Sequence, residues 1–249
     1  MVCLHGFMDT WRSWELVLPR LERRHDVLAP TLPGHAGGPR IDGPVSPDAF
    51  VDAVQRIMDA AGLEIAHLVG NSLGGYVALC LAARGRAASV VAFAPAGGSA
   101  PDDASYVDLL SAQRELQAQM KIAAPQAETL LATTQGRRRA TQLIATNFEH
   151  LPPDLIAHQM IGVASCQVAD ALIEAALSDG WPLDAERVTC PVRIVWGTAD
   201  QLLPWPRAAA RYRAQLPHAD WVLLDGIGHS PQLGVPVEAA QLILGFAAP

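Results

Sequence analysis

The chain has 249 residues, a formal charge of −7 and apolar side chains at half of its positions. That length accommodates one large α/β domain with an insertion or two small domains, and the acidic balance argues against nucleic acid or an anionic membrane as a partner, since both recruit concentrated Lys and Arg. No basic stretch leads into an apolar core at the start, and no apolar run approaches the roughly 20 residues that cross a bilayer, so a cytoplasmic protein without a membrane partner is expected. Cys3, Cys80, Cys166 and Cys190 lack metal-ligand spacing and read as reduced thiols.

In chain order, Val2-Cys3-Leu4 is a strand that runs into His5-Gly6-Phe7. Trp14, Val17, Leu18 and Leu21 at helical spacing predict a helix from Ser13 to Arg23, with Ser13 as its cap. Asp26 to Ala29 reads as a second strand, and the Gly- and Pro-rich stretch from Pro30 to Pro39 as irregular. Ser46-Pro47-Asp48 opens a capped helix that Gly62 closes. Strands follow at Ile65 to Val69 and Ser89 to Ala94, with a helix between them that stops near Arg84-Gly85.

From Gly97 to about Arg187 only helices are predicted: Asp102 to Lys121, Pro125 to Gln135, Arg137 to His150, Pro153 to Cys166 and Val168 to Asp179, with Gly136 and Gly180 as C-terminal caps. Arg137-Arg138-Arg139 reads as a solvated helix face. The alternation then resumes with a strand at Pro191 to Trp196, a helix at Pro206 to Leu216, a strand at Trp221 to Leu224 and a helix at Val237 to Phe246. Alternating strands and helices imply a parallel sheet covered on both faces. The expected organisation is a core of residues 1–97 and 188–249 with a helical cap of residues 98–187.

Chemistry concentrates where strands end, because ligands of an open parallel sheet bind beyond its carboxyl ends. Gly70-Asn71-Ser72-Leu73-Gly74 sits between a strand and a helix, the setting of a nucleophile elbow, whose turn is too tight for side chains at the two glycines. The N–H of Leu73 and the positive end of the following helix are then aimed at any negative charge forming beside the Ser72 hydroxyl. Asp200 follows the Pro191 strand and His229 the Trp221 strand. Ser72, Asp200, His229 is the nucleophile, acid, base order of elbow enzymes.

Taken together, His-Gly-Phe, Leu-Pro-Gly-His, Gly-Asn-Ser-Leu-Gly-Gly, Trp-Gly-Thr-Ala-Asp and Gly-Ile-Gly-His stand in one order that resembles the α/β-hydrolase-fold superfamily, in its serine-nucleophile, esterase-like form with a helical cap. The resemblance implies an α/β-hydrolase fold with a mostly parallel sheet, Ser72 as nucleophile, His229 as general base and then acid, and Asp200 as the carboxylate that orients the imidazole. It also implies backbone N–H groups of Phe7 and Leu73 as oxyanion donors. Met8, Leu202, Leu203 and Pro231, with some of Met120, Met160 and Trp181 from the cap, are the candidate pocket residues. His5 and His35 read as structural, and Asp9, Asp225 and His67 as turn or surface residues.

Members of this superfamily usually carry two further strands ahead of the His-Gly-Phe strand, and this chain lacks them. The Asp26 to Ala29 strand is then expected at a sheet edge, so that either the true start lies upstream of Met1 or a partner covers the edge, a homodimer being one arrangement. Relatives that hydrolyse epoxides or haloalkanes use a carboxylate at the elbow, which this chain does not have. The function expected is hydrolysis of a carboxylic ester, lactone or thioester of small to medium, largely apolar substrate, with no cofactor and no metal. Two alternatives stand beside it. One is carbon–carbon bond hydrolysis of the meta-cleavage-product type, whose members place Trp where Ser230 stands; the other is a triad-bearing receptor with slow turnover.

Overall fold

Strands with apolar residues at both odd and even positions need cover on both faces of their sheet. In the computed structural model, which describes residues 1–99, 103 and 105–247, five such strands pair in parallel. They are β1 (Val2–Leu4), β2 (Ala66–Asn71), β3 (Ala87–Phe93), β4 (Val192–Gly197) and β5 (Asp220–Leu224), neighbours in that order. Alternate side chains part to opposite faces. Leu4, Leu68, Val90, Ala92 and Ile194 join one buried cluster, and Cys3, Val69, Val91, Phe93 and Val195 the other. Each fully buried aliphatic or aromatic side chain contributes about 1.5–3 kcal/mol.

Two short helical turns, Trp11–Trp14 and α1 (Leu18–Leu21), stand where the spacing predicts one helix from Ser13 to Arg23. Thr10, not Ser13, caps the first, and Pro19 interrupts the run because its ring nitrogen has no hydrogen to donate. The strand expected over Asp26 to Ala29 contracts to a single parallel bridge, Val2 to Leu28. Cys3 N–H donates to Leu28 O (2.9 Å) and Leu28 N–H to Met1 O (2.9 Å). Its place beside β1 agrees with the expected edge, but β1 offers only three residues to pair with and Pro30 removes the next donor.

Helix α2 (Pro47–Ala60) starts under the Ser46 cap and sends Phe50, Val54 and Met58 into the first cluster. Helix α3 (Leu73–Ala83) is buried at every position, so it carries apolar residues all round rather than a stripe. Between β3 and β4 the described residues form α4 (Ser105–Ala123), α5 (Ala127–Leu131), α6 (Thr134–Thr141), α7 (Pro153–Ser165) and α8 (Ala169–Ser178). Asp102, the expected start of the first of these, lies outside the described residues. Gly136 is not a C-terminal cap. It sits in the first turn of α6, its N–H donating to Thr133 Oγ1 (3.0 Å), and a Cβ there would fall 1.7 Å from Leu130 O. Gly180 does close α8, at φ +67°. The helix expected over Arg137 to His150 ends at Thr141, whose hydroxyl turns back to Arg137 O.

After β4 come α9 (Ala210–Gln215), α10 (Pro231–Gly234) and α11 (Pro236–Leu244). Ala239, Ala240 and Ile243 of α11 meet Trp14, Val17 and Leu21 on the second face of the sheet. Among the described residues no single helix is long and apolar enough to cross a membrane.

One close approach fixes the sheet's open end. A Cβ at Gly74 would lie 2.1 Å from Leu4 O and 2.6 Å from His5 O, backbone atoms that cannot step aside. Gly74→Ala is therefore expected to cost about 3 kcal/mol or more, read as the shift of the urea midpoint, whereas unchanged stability would show that α3 can slide off β1.

Candidate active site

Strand β2 ends at Asn71 and α3 begins at Leu73, which leaves Ser72 alone to make the turn, at φ 52° and ψ −115°. A side chain in that region costs on the order of 1–3 kcal/mol, so neighbouring structure must hold it. Three backbone bonds do so: Ser72 N–H to Phe93 O (2.9 Å), Ala96 N–H to Ser72 O (3.0 Å) and Tyr76 N–H to Ser72 O (3.0 Å). Gly70 is needed as well, since a Cβ there would meet Gly74 O at 2.2 Å.

Asp200 and His229 arrive on the loops after β4 and β5. Gly197 lets those loops close up, because its missing Cβ would stand 2.1 Å from Ile227 O, and Ala199 N–H donates to that same oxygen (3.0 Å). Both side chains are buried, and His229 Nδ1 lies 2.7 Å from Asp200 Oδ2. A carboxylate only accepts, so the imidazole carries its hydrogen on Nδ1 and leaves Nε2 as the basic nitrogen. The other carboxylate oxygen accepts from Leu202 N–H (2.9 Å) and Leu203 N–H (2.8 Å). Asp200 is thus also a turn cap, and the two roles use different oxygens.

Asn71 stands in the elbow motif without a role that the motif assigns it, yet it ties these loops together. Its Nδ2 donates to Phe93 O (3.1 Å) and to His229 O (3.0 Å), while its Oδ1 accepts from Ser230 Oγ (3.3 Å) and Gln232 Nε2 (3.0 Å). The available signal was a polar residue at the end of an otherwise buried apolar strand, which must find partners.

Ser72 and His229 border two cavities at once. The larger, of about 410 Å³, also takes in Met8, Met120, Met160, Leu202 and Ser230, and the smaller, of about 30 Å³, is lined by Leu73, Leu203 and Trp181 among others. Phe7 borders both. Pro231 borders neither; it is buried at the first position of α10, where its fixed φ suits a helix start. Trp181 packs edge-on against Tyr76 at 4.9 Å and donates its Nε1–H to the Tyr106 hydroxyl.

Two readings need correction. Asp9 is no surface acid: it lines the larger cavity, and burial pushes its carboxyl from 3.8 up to about 7, against weaker opposing pulls from Thr10 N–H, Gln159, Ser13 and His229. Arg139 is exposed but reaches the lining of the same cavity, so the arginine run is not wholly a solvated face. His5 is structural as expected, accepting at Nε2 from Leu32 N–H (2.8 Å) with Nδ1 against Gly6 O (2.7 Å). His35 Nδ1 lies 3.1 Å from Pro33 O, while His67 Nδ1 meets Ser89 Oγ (2.9 Å) and Asp225 accepts from Thr198 Oγ1 (3.1 Å).

Asn71→Ala strands the His229 carbonyl, the Ser230 hydroxyl and the Gln232 amide in a buried place, while Phe93 O keeps the Ser72 N–H, and is expected to lower stability by about 2 kcal/mol, with faster hydrogen exchange across residues 226–230. The Asp9 carboxyl binds its proton more tightly folded than unfolded, so its contribution to stability falls as pH rises from 3.8 to about 7. Asp9→Asn should accordingly be the more stable protein at pH 8, by on the order of 1 kcal/mol once partial exposure is allowed for. The gap should close below the unfolded value of 3.8, and thermal melts across that range measure it.

The family model described as "Alpha/beta hydrolase family" matches residues 1–242. The chain is 30% identical over 210 residues to the epoxide hydrolase EphH of Mycobacterium tuberculosis, a match that covers 81% of this chain and 95% of that one. A shorter stretch of 88 residues is 38% identical to the 2-hydroxymuconate semialdehyde hydrolase of a Pseudomonas species, covering 34% of this chain and 31% of the relative. Among solved structures, a thermophilic esterase from Thermogutta terrifontis superposes with a TM-score of 0.70 at 22% identity, over 97% of this chain and 86% of its own. With nearly every residue of the described sheet and cap inside the family match, the chain belongs to the alpha/beta hydrolase family.

Proposed function

We propose that this chain is a serine hydrolase that cleaves carboxylic esters, including lactones and thioesters, through an acyl-enzyme on Ser72. The observation that carries the reading is His229, held at 2.7 Å by the buried Asp200 carboxylate, opening with Ser72 onto one cavity. His229 Nε2 takes the Ser72 proton as Oγ attacks the carbonyl carbon, then delivers it to the leaving oxygen. Water, deprotonated by the same nitrogen, attacks the acyl carbon and returns Ser72. Asp200 holds the Nδ1–H tautomer and stabilises the imidazolium. The backbone N–H groups of Leu73 and Phe7 serve as oxyanion donors; the first is one of the helix-start donors that have no partner within α3.

The chemistry of the nucleophile favours this over the reaction named for the mycobacterial relative. A carboxylate opens an epoxide to an ester, which water then cleaves. Serine would open it to an ether, with no carbonyl at which a tetrahedral intermediate could form. Carbon–carbon hydrolysis is the second reading, favoured by the 38% identical stretch shared with the semialdehyde hydrolase; Ser230, where a tryptophan would be expected, weighs against it.

Intact mass after a fluorophosphonate probe, run beside p-nitrophenyl ester turnover, tests the proposal. Ser72→Ala should abolish labelling and lower kcat by on the order of 10⁴-fold or more, and Asp200→Asn should cost a comparable factor through loss of the tautomer. Labelling without ester turnover, together with cleavage of a vinylogous 1,5-diketone, would move the assignment to carbon–carbon hydrolysis.

A further inference from the structure

The smaller cavity, of about 30 Å³, is bounded by Ser72 and His229 together with Leu110, Ala176, Trp181 and Leu203. About 10–15 Å³ suffices for one water molecule, so the space takes about two or three groups the size of a methylene. The larger cavity, at about 410 Å³, falls in the range of a whole ligand site, about 300–1,000 Å³. Voids larger than a water molecule are few in a packed interior, and the small one opens beside the candidate nucleophile and base.

The two cavities also differ in how their walls are held. Trp181 packs edge-on against Tyr76 at 4.9 Å, donates its Nε1–H to the Tyr106 hydroxyl and accepts at its carbonyl from Arg211 (2.6 Å). The next carbonyl, that of Pro182, accepts from the Tyr76 hydroxyl (2.7 Å). Leu203 is pinned at both backbone groups: its N–H donates to Asp200 Oδ1 (2.8 Å) and its carbonyl accepts from Trp196 Nε1 (2.8 Å). Leu110 and Ala176 share one buried cluster with Ile173. A wall tied in this way to α3, α9 and β4 does not recede before a longer chain. Met8, Met120 and Met160 on the larger cavity are unbranched and adapt to what they enclose.

We infer that the smaller cavity receives one end of the ester and admits about three carbons at most, while the other end lies in the larger cavity, so that the substrate class is an ester with one short and one long apolar end. The acyl chain and the alcohol leave the tetrahedral carbon on different bonds, and two cavities that meet at Ser72 give each bond its own space. In a pocket of fixed size, a methylene more or less changes kcat/KM by about 10–200-fold. Leu110 and Ala176, on the wall of the smaller cavity and away from the reacting atoms, then set the length of the short end. The inference rests on Ser72 being the nucleophile of an ester hydrolase.

Two series of esters, methyl alkanoates of rising acyl length and alkyl acetates of rising alcohol length, lengthen one end at a time, with acid release followed by pH-stat titration. In one series kcat/KM should fall by about tenfold or more with each methylene once the chain exceeds about three carbons, and in the other it should hold or rise to about eight carbons. Leu110→Ala should raise turnover of the first rejected ester by about tenfold or more, and Ala176→Val should lower that of the longest accepted one by a similar factor. Both variants should leave the other series within about twofold of wild type. If Leu110→Ala is too unstable to assay, Ala176→Val still decides. Two series that fall alike, or two that both tolerate long chains, would overturn the inference and leave the serine hydrolase standing. A length limit that Ala176→Val does not move would overturn it too. Failure of fluorophosphonate to label Ser72, with no ester turned over, would bring down the serine-hydrolase reading and this inference with it.

Discussion

The backbone of α3 crosses the end of β1 so closely that one added methyl at Gly74 would stand 2.1 Å from Leu4 O. The rest of the open end of the sheet follows from that crossing. It leaves a single residue between β2 and α3, forces Ser72 to φ 52°, and sets the first turn of the helix beside the His5-Gly6-Phe7 loop that leaves β1. A turn of this kind is stable only when over-determined, and here the determination comes from three strands: Phe93 on β3 takes the Ser72 N–H, Asn71 on β2 takes up the His229 carbonyl, and Leu4 on β1 limits where α3 can lie. The strain at Ser72 and the position of His229 thus share one set of supports.

Two carboxyl groups near this turn show how environment separates residues of one type. Asp200 faces three donors, two of them backbone N–H groups whose positions do not change with side-chain motion. Asp9 has one short bond, from Thr10 N–H at 2.7 Å, and burial raises its carboxyl to about 7. Asp9 therefore suits the cavity wall, as a group that is able to donate as well as accept, whereas Asp200 has both oxygens engaged by fixed neighbours.

Much of this was legible in the sequence, and the pattern of what was not has a physical cause. Gly70, Ser72 and Gly74, the strand ends bearing Asp200 and His229, and the Ser46 cap of α2 are local: spacing, a turn and a strand-to-helix change define them within a few residues. The misread features depend on distant partners. Asp26 to Ala29 has strand character but only three residues of β1 to pair with, and Gly136 answers to the Leu130 carbonyl rather than to a helix end. Asp9 reads as a turn or surface residue and Arg139 as part of a solvated helix face, yet both line the larger cavity. Pro231 follows His229 in sequence, but the chain turns into α10 and carries it away from the cavity. Asn71 has four partners spread over 22 to 161 residues of chain, a separation no motif window reports.

The division of labour between sheet and cap follows from the same geometry. The groups that would perform the chemistry stand on loops fixed by β1, β2, β4 and β5, while the side chains that bound the substrate come largely from α4, α6, α7 and α8. Beside Ser72 lie one cavity of about 410 Å³ and another of about 30 Å³, two very different volumes. Helix α4 contributes to both, through Leu109 and Leu110 on the smaller, Met120 on the larger, and Gln113 on each. A shift of α4 against α7 or α8 would exchange volume between the cavities without touching Ser72, Asp200 or His229. Selectivity in such a site is therefore a property of helix packing in the cap, and it can change while the supports of the turn stay as they are.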